Sequence, residues 1–202
     1  MPVLITPTTR LRTAWLEAHD EWGPGPHEDG FGLRPYDEVN SPTGFAAWVA
    51  RLADESTQAW AETGRARCTY RWIVEDDRVL GGIALRHGFD DFVRWAGHIG
   101  YGIRPSARRR GLATWALGRM LTEAGKLGMD RVLIVCAADN IASAKTIERQ
   151  GGILESIVDT QLGPARRYRV PTGDQDQRPG RCGRQETTAT PPRRMADGSH
   201  PL

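Results

Sequence analysis

The apolar spacing of the chain changes several times between residues 67 and 170, and the order of these changes limits the fold class. Three segments with strand-like alternation come first, around residues 70–74, 78–87 and 98–104. A helical pattern follows from Ala113 to Ala124, and the bounded apolar run at 131–137 predicts a buried central strand. A second helix opens at Asn140, and residues 153–170 predict a closing hairpin. This order predicts a mixed α/β domain in layers.

The first part of the chain, residues 1–66, predicts helices around a polar loop. Thr8 is placed to cap one helix, and Ser41-Pro42 is typical of the start of another. The segment between them, residues 23–39, is rich in glycine, proline and acidic residues. It is interpreted either as a plain surface loop or as a substrate-facing lid, because loops on rigid scaffolds often carry function. The lid would use Glu28, Asp29, Phe31 and Tyr36.

The last part of the chain, residues 171–202, lacks apolar anchors. It contains no Val, Ile, Phe, Tyr or Trp and holds five of the 13 prolines. Such a composition does not bury enough apolar surface to offset the entropy of ordering it. We therefore expect a single domain over residues 1–170, with its core at 67–170, followed by a disordered tail rather than a docking peptide.

Composition excludes several classes of protein. The 27 Lys and Arg against 25 Asp and Glu leave a net charge of +2, so no nucleic-acid partner is expected. No apolar run approaches the roughly 18 residues of a membrane helix, and the N-terminus does not resemble a secretory signal. Cys68, Cys136 and Cys182 have no metal-ligand spacing, so we expect no metal site. They are interpreted as reduced thiols of a cytoplasmic protein.

The strand-to-helix junction after Ile103 carries the clearest chemical signal. Three successive arginines, Arg108 to Arg110, precede Gly111 at the predicted helix start. A helix start presents unpaired N–H groups to an anion, and glycine lets the backbone approach it closely. Arginines fork onto phosphate oxygens. The junction therefore predicts a pyrophosphate site, with a solvated arginine cluster as the alternative. Neither a P-loop motif nor a dinucleotide-binding glycine motif is present.

This junction, with its neighbouring strands and the helix opened by Asn140, resembles the GNAT N-acetyltransferase superfamily. Residues 108–113 match its acyl-CoA signature, (Q/R)-x-x-G-x-(G/A). The runs GHIGYGIRPS at 97–106, DNIAS at 139–143 and GGILE at 151–155 are similar to one branch of the superfamily. The resemblance spans residues 69–170. It implies a mostly antiparallel central sheet flanked by helices, with acyl-CoA in a cleft between splayed central strands.

The resemblance also implies a cofactor site. Backbone N–H groups of the junction would surround the pyrophosphate, and the helix opened by Asn140 would meet the pantetheine arm. For Asn140, a plain helix N-cap is the alternative interpretation. The implied cofactor-binding residues are Ile103, Arg108, Arg109, Arg110, Gly111, Leu112, Ala113, Thr114, Asn140, Ser143 and Lys145.

The catalytic groups of the family are replaced in this chain. Ile147 stands where many GNAT enzymes have the tyrosine that protonates the departing thiolate, and Gly97 stands near the position of a glutamate base. His98 is the adjacent candidate base, because its ordinary pKa is about 6.5, with a structural hydrogen-bonding role as the alternative. Tyr101 and Ser143 are candidate acids. Without a base, the family chemistry can still rely on positioning and on water.

The resemblance implies an acyl-CoA-dependent N-acyltransferase with acetyl-CoA as co-substrate and no metal. Transfer of an acetyl group to the primary amine of a small molecule, by direct attack, is the expected reaction. The acidic and aromatic loop favours a small cationic amine. A non-catalytic CoA-binding module and a transferase acting on a protein or peptide amine are the alternatives. The sequence leaves the oligomeric state open, a homodimer included.

Overall fold

The computed structural model describes residues 1–23, 30–57 and 67–172, and these form two sheets flanked by helices. The strands are β1 (Val3–Ile5), β2 (Cys68–Glu75), β3 (Arg78–Arg86), β4 (Ile99–Ile103), β5 (Arg131–Ala137), β6 (Ile153–Thr160) and β7 (Gly163–Pro171). The helices are α1 (Arg12–Asp20), α2 (Pro42–Thr57), α3 (Asp91–Ala96), α4 (Leu112–Lys126) and α5 (Ile141–Arg149). Most of the predicted tail lies outside the described residues, so its prediction stays untested.

The first sheet has four antiparallel strands in the order β1–β2–β3–β4. Strands β2 and β3 are buried along nearly their whole length, because side chains pack against both of their faces. On one face, Trp72 and Val74 join the core under α1 and α2. On the other face, Ile73 and Ile83 join the core under α4 and α5. The first sheet therefore separates two hydrophobic cores.

The core under α1 and α2 is aromatic. Trp15, Phe45 and Trp48 pack with ring centroids 4.6–5.5 Å apart, and Trp72 contributes from β2. The predicted start of α2 at Ser41-Pro42 agrees with the structure. Thr8 caps a short 3-10 turn before α1 instead of the helix itself, with its hydroxyl accepting a hydrogen bond from the Arg10 N–H.

The second sheet has three strands in the order β5–β7–β6, so β7 is central and β6 lies at an edge. Helices α4 and α5 pack against it and against β4. The apolar stripe predicted for α4 is buried in this core. Arg131–Ala137 forms the buried strand that the sequence predicts, but it lies at an edge of its sheet and not at the centre, because in the described residues it pairs with β7 and forms no ladder with β4.

The two sheets meet at one isolated bridge, between Gly97 and Ile134. In the part of the chain that the structure describes, β4 and β5 form no ladder beyond it. The unpaired stretch of β4 runs from this bridge to Ile103, where the arginine-rich junction begins, and the gap between β4 and β5 lies along it. The mixed α/β class, with antiparallel sheets flanked by helices, is confirmed. Two short elements, β1 and α3, were not predicted. Within the described ranges, no helix is long and apolar enough to cross a membrane.

Candidate active site

The junction between β4 and α4 forms a loop with an uncapped helix start. After a 3-10 turn over Pro105–Ala107, Arg109 adopts φ +63° and Gly111 adopts φ +77°, ψ +3°. No side chain caps α4 at Gly111, and the first helical hydrogen bond runs from Trp115 N–H to Gly111 C=O at 3.0 Å. The N–H groups of the first turn are therefore left for solvent or a ligand. This geometry suits an anion.

Gly111 is required for its conformation and not for space. A Cβ built on Gly111 would meet nothing within 4 Å, so the surroundings are open. Its left-handed φ disfavours any residue with a Cβ. The sequence predicts that glycine here permits a close approach of the backbone to an anion. The structure shows in addition that the turn requires glycine for its left-handed conformation.

The three arginines of the junction have different surroundings. The Arg108 Nε donates to the carbonyl of Ile103, at the end of β4, with a distance of 3.0 Å. Arg110 pairs with the Glu75 carboxylate at the end of β2, which lowers the pKa of that carboxyl. Arg109 is exposed and makes no hydrogen bond or ion pair with the described residues. Arg109 therefore has the most freedom to meet a ligand.

An ion pair that was not predicted fixes the start of this loop. Arg104 is buried and pairs with Glu21, at the C-terminal end of α1. The same carboxylate accepts hydrogen bonds from the Ser106 N–H at 3.1 Å and from its hydroxyl at 3.0 Å. These contacts lower the pKa of Glu21 from 4.5 to about 2, chiefly through the hydrogen bond from Arg104. The sequence offered no signal for it, because 83 positions separate the partners.

The other side of the gap is formed by the start of α5. The Asn140 Oδ1 accepts a hydrogen bond from the Ser143 N–H at 3.0 Å, so Asn140 caps the helix. The side-chain hydroxyls of Tyr101, on β4, and Ser143 lie 2.8 Å apart and bridge the gap between β4 and α5. Cys136, on β5, lies close enough to Ser143 for the serine hydroxyl to affect the pKa of its thiol. Lys145 is exposed on the following turn.

The hydroxyl of Tyr101 stays protonated at neutral pH. Burial is the main cause that raises the pKa of Tyr101 to about 12, and the hydrogen bond with Ser143 opposes it. Burial also raises the pKa of the neighbouring Cys136 thiol. The pair Tyr101–Ser143 can therefore donate a hydrogen bond to a developing negative charge in the gap, whereas it offers no base.

Comparison with protein families now adds to this geometry. A family model described as an acetyltransferase (GNAT) domain matches residues 13–153. This chain belongs to the GNAT acetyltransferase family. The match includes the junction, Tyr101 and the start of α5. A comparison with curated proteins finds no significant match.

Several solved structures share this GNAT fold at low sequence identity. RimJ of Mycobacterium smegmatis, in complex with CoA-disulfide, is 18% identical, with a TM-score of 0.62 over 84% of this chain and 81% of that one. RimL, the ribosomal L7/L12 alpha-N-protein acetyltransferase, in complex with coenzyme A, is 16% identical, with a TM-score of 0.63 over 85% and 94%. The microcin C7 self-immunity acetyltransferase MccE, in complex with acetyl-CoA and AMP, is 16% identical, with a TM-score of 0.60 over 84% and 92%. At such identities the likeness concerns the fold.

His98, the candidate base of this GNAT domain, has its basic nitrogen occupied. The Nδ1 atom accepts a hydrogen bond from the Leu133 N–H at 2.9 Å, so the neutral ring carries its proton on Nε2. Neither nitrogen then offers a free lone pair to an incoming amine. The structural alternative for His98 is the one that this geometry supports.

The predicted lid residues are not placed together by the structure. Phe31 is fully buried in the aromatic core, where it contacts Trp15 and Trp72. Its side chain therefore packs inside the domain and does not face a substrate. Tyr36 is 73% exposed, and its hydroxyl accepts a hydrogen bond from Arg34 at 2.8 Å. The other two predicted lid residues, Glu28 and Asp29, lie outside the described residues.

The described part of this loop is held by a buried network of charges. Glu55, on α2, pairs with Arg34 and Arg51, and the Asp37 carboxylate pairs with Arg51 at 2.6 Å. The Tyr70 hydroxyl donates to Glu55 at 2.7 Å. Two carboxylates are thus balanced by two guanidinium groups, so the network has no net charge. Asp37 is committed to the fold and does not serve to attract a cation.

Proposed function

We propose that this GNAT domain is an acyl-CoA-dependent N-acyltransferase that moves an acetyl group from acetyl-CoA to the primary amine of a small molecule. The observation that carries the proposal is the uncapped start of α4 at Gly111, next to Arg109 and open to solvent. A 15-residue helix with a free first turn, preceded by three arginines, is suited to a pyrophosphate.

The residues present fit acetyl-CoA on the evidence of their own geometry. The first-turn N–H groups of Leu112, Ala113 and Thr114 have no capping side chain, so a pyrophosphate would satisfy groups that are otherwise left to water. Arg108 and Arg109 would add charge-assisted hydrogen bonds.

The second half of the cofactor would lie along the gap between β4 and β5. The edge of β4 near Ile103 is unpaired by any β5 ladder in the described residues, so its backbone groups, apart from the Ile103 carbonyl that accepts from Arg108, are available to the pantetheine arm. Asn140 and Lys145, at the start of α5, would border the same arm. The bound cofactor supplies a thioester carbonyl for attack by the amine.

Tyr101 and Ser143 are the groups that we assign to the chemistry. Their hydroxyls lie 2.8 Å apart, with one donating to the other, so the pair has one further O–H to offer to a ligand. A hydroxyl of this pair would donate a hydrogen bond to the departing thiolate sulfur and so stabilise the negative charge on that sulfur. Tyr101 acts as a hydrogen-bond donor, because a phenol with a pKa of about 12 does not give up its proton readily. The amine would lose its own proton to water, since His98 offers no free lone pair.

The composition of the loop at 23–39 supports a small cationic amine as the acceptor. Glu28 and Asp29 would supply the negative charge that attracts it. Asp37 is engaged with Arg51, and Glu38 accepts hydrogen bonds from Asn40 and Ser41, so neither is free for a substrate. A protein or peptide amine is the second candidate, because RimL, which has a similar fold, is an alpha-N-protein acetyltransferase.

Two measurements test the proposal. Acetyl-CoA is titrated calorimetrically, and the release of free thiol is followed with a panel of small amines and short peptides. We expect binding and turnover of at least one small amine. An absence of binding at millimolar acetyl-CoA would refute the proposal, and binding without thiol release would indicate a non-catalytic module. Turnover of peptides alone would identify a protein or peptide as the acceptor.

The acceptor assignment is tested with matched variants. Glu28→Gln and Asp29→Asn should each raise the KM of a cationic amine and leave the KM of acetyl-CoA unchanged. Asp54→Asn is the control, because Asp54 is an exposed carboxylate on α2. If the KM for the amine is the same in both loop variants as in Asp54→Asn, the loop carboxylates do not bind the amine.

A further inference from the structure

His98 forms hydrogen bonds with both the N–H and the carbonyl of Leu133, on the side of β5 that faces β4. The His98 N–H donates to the Leu133 carbonyl at 2.7 Å, and the Leu133 N–H donates to the His98 Nδ1 at 2.9 Å. His98 is 7% exposed, so these bonds lie in the interior. The bridge between Gly97 and Ile134 lies next to them. His98 therefore adds a main-chain and a side-chain hydrogen bond to the single bridge between the two sheets.

The side chain is needed here because the backbone of β4 has no acceptor to offer. The His98 carbonyl accepts a hydrogen bond from the Arg86 N–H of β3 at 2.8 Å and so points to the opposite neighbour. Without the imidazole, the Leu133 N–H would be buried with no acceptor in the β4 backbone at this point. Leaving a buried donor unsatisfied is more costly than the bond itself is stabilising. Gly97 allows the close approach, since a Cβ there would lie 2.9 Å from the Leu133 carbonyl oxygen.

The connection lies at the closed end of the gap in which the chemistry is assigned. Three residues further along β4, Tyr101 reaches across that gap to Ser143. We propose that His98 is a positioning residue, whose imidazole fastens β4 to β5 and so sets the width of the cofactor cleft and the distance between Tyr101 and Ser143. Its effect on acetyl transfer rests on the proposed function, whereas the fastening itself does not.

The fastening requires a neutral imidazole. A protonated Nδ1 would place a second donor against the Leu133 N–H, and the bond would be lost. Burial is the main cause that lowers the pKa of His98 from 6.5; Arg86 lowers it further, and the charge of Asp90 opposes this. A hydrogen bond accepted by Nδ1 also favours the neutral ring. Arg86 and Asp90 come from β3 and from the cap of α3. The ring of Phe89 also packs 5.7 Å away, and it is uncharged. The connection should therefore hold at neutral pH and weaken in acid.

Two substitutions separate this role from that of a general base. In His98→Asn the side-chain oxygen can take the place of Nδ1, so the acceptor is kept while the titrating ring is removed. In His98→Leu the acceptor is lost at similar size. A base would lose kcat in both variants, whereas a positioning residue is rescued by asparagine.

We expect the nitrogen NMR spectrum of the intact protein to show His98 as the Nε2–H tautomer. The amide of Leu133 should exchange slowly with solvent in the wild type and in His98→Asn, and at least about tenfold faster in His98→Leu.

The KM for acetyl-CoA should follow the same order, with kcat affected less. The wild-type KM should rise as the pH falls below 6.5, and His98→Asn should flatten that rise. Burial also lowers the pKa of His87. Because both proteins contain His87, its titration affects both KM values alike and cancels in the comparison.

An Nδ1–H tautomer in the wild type, or an equal loss of Leu133 protection in both variants, would overturn the proposal. If His98→Leu does not fold, the wild-type tautomer and the protection of Leu133 in His98→Asn still decide it. If acetyl-CoA does not bind the wild type, the proposed function fails, while the tautomer and the exchange of Leu133 continue to test the fastening by themselves.

Discussion

The ion pair between Glu21 and Arg104 makes the substitution Glu21→Gln the most informative test of how the cofactor loop is held. Glutamine keeps one oxygen that can accept from the Arg104 Nε, which lies 2.8 Å from the Glu21 Oε1. It loses the negative charge and the second oxygen, which accepts from the Ser106 N–H. The Arg104 side chain is only 6% exposed, so its charge would stay buried without a counter-ion.

The magnitude follows from the pKa of Glu21. The pKa falls from 4.5 in the unfolded chain to about 2 in the folded protein. Since one pKa unit corresponds to about 1.4 kcal/mol, roughly 3 kcal/mol is the upper limit of what the ionised carboxylate contributes at neutral pH. The Glu21 side chain is 28% exposed, so solvent screening lowers this to about 2 kcal/mol. Because the folded pKa is the lower one, this contribution is complete above about pH 4.5 and is lost as the pH falls toward about 2.

Urea unfolding of the wild type and Glu21→Gln, at neutral pH and again in acid, measures this difference. We expect the variant to lose about 2–3 kcal/mol at neutral pH, and the gap between the two proteins to shrink in acid. Glu17→Gln is the control, because Glu17 is an exposed carboxylate on the same helix. If Glu21→Gln were no less stable than Glu17→Gln, the pair would not hold the loop, and the reasoning from its geometry would be refuted.

Further predictions concern the cofactor loop, the chemistry and the tail. The double variant Arg108→Ala with Arg109→Ala should raise the KM for acetyl-CoA about tenfold or more with a smaller change in kcat, and the exposed Arg119→Ala on α4 should change neither; equal KM values in the two would show that these two arginines are merely solvated. Tyr101→Phe should lower kcat at unchanged KM in a steady-state thiol-release assay, and an unchanged kcat would remove Tyr101 from the chemistry. Ending the chain after Thr172, which bonds to Met129 and Asp130, should leave the melting temperature and acetyl-CoA affinity unchanged in calorimetry; a fall of several degrees would show that the tail packs on the domain.

Local patterns predicted the elements that depend on local physics. The apolar stripe of α4, with Leu117 and Leu121 fully buried, has the 3.6-residue period of a helix against a core. The alternation in β4 correctly placed Tyr101 and Ile103 on one face. The strand β1 escaped prediction because three residues carry too little periodicity, and it depends on pairing with Trp72 to Val74.

The sequence predicts only those parts of the site that lie in contiguous motifs. The arginine loop and the Asn140 cap lie in contiguous motifs, and the structure brings both to the gap between β4 and β5. The use of His98 to bond Leu133, and of Glu21 to bond Arg104, depends on contacts between distant segments, which spacing along the chain does not encode. The burial of Phe31 was missed for the same reason, since a phenylalanine in a polar loop gives no sign of which core it joins.

The uneven distribution of tryptophans has a practical consequence for spectroscopy. Trp15, Trp48 and Trp72 are buried together in the core under α1 and α2. Among the tryptophans that the structure describes, Trp115, in the first turn of α4, is the one that packs partly against the other core. Intrinsic fluorescence will therefore report mainly on the helical N-terminal layer, and circular dichroism must accompany it to follow the rest of the domain. Trp115 lies four residues after Gly111, so a change in emission on adding an anion that is absent from a Trp115→Phe variant would make this residue a built-in optical reporter of the loop beside it.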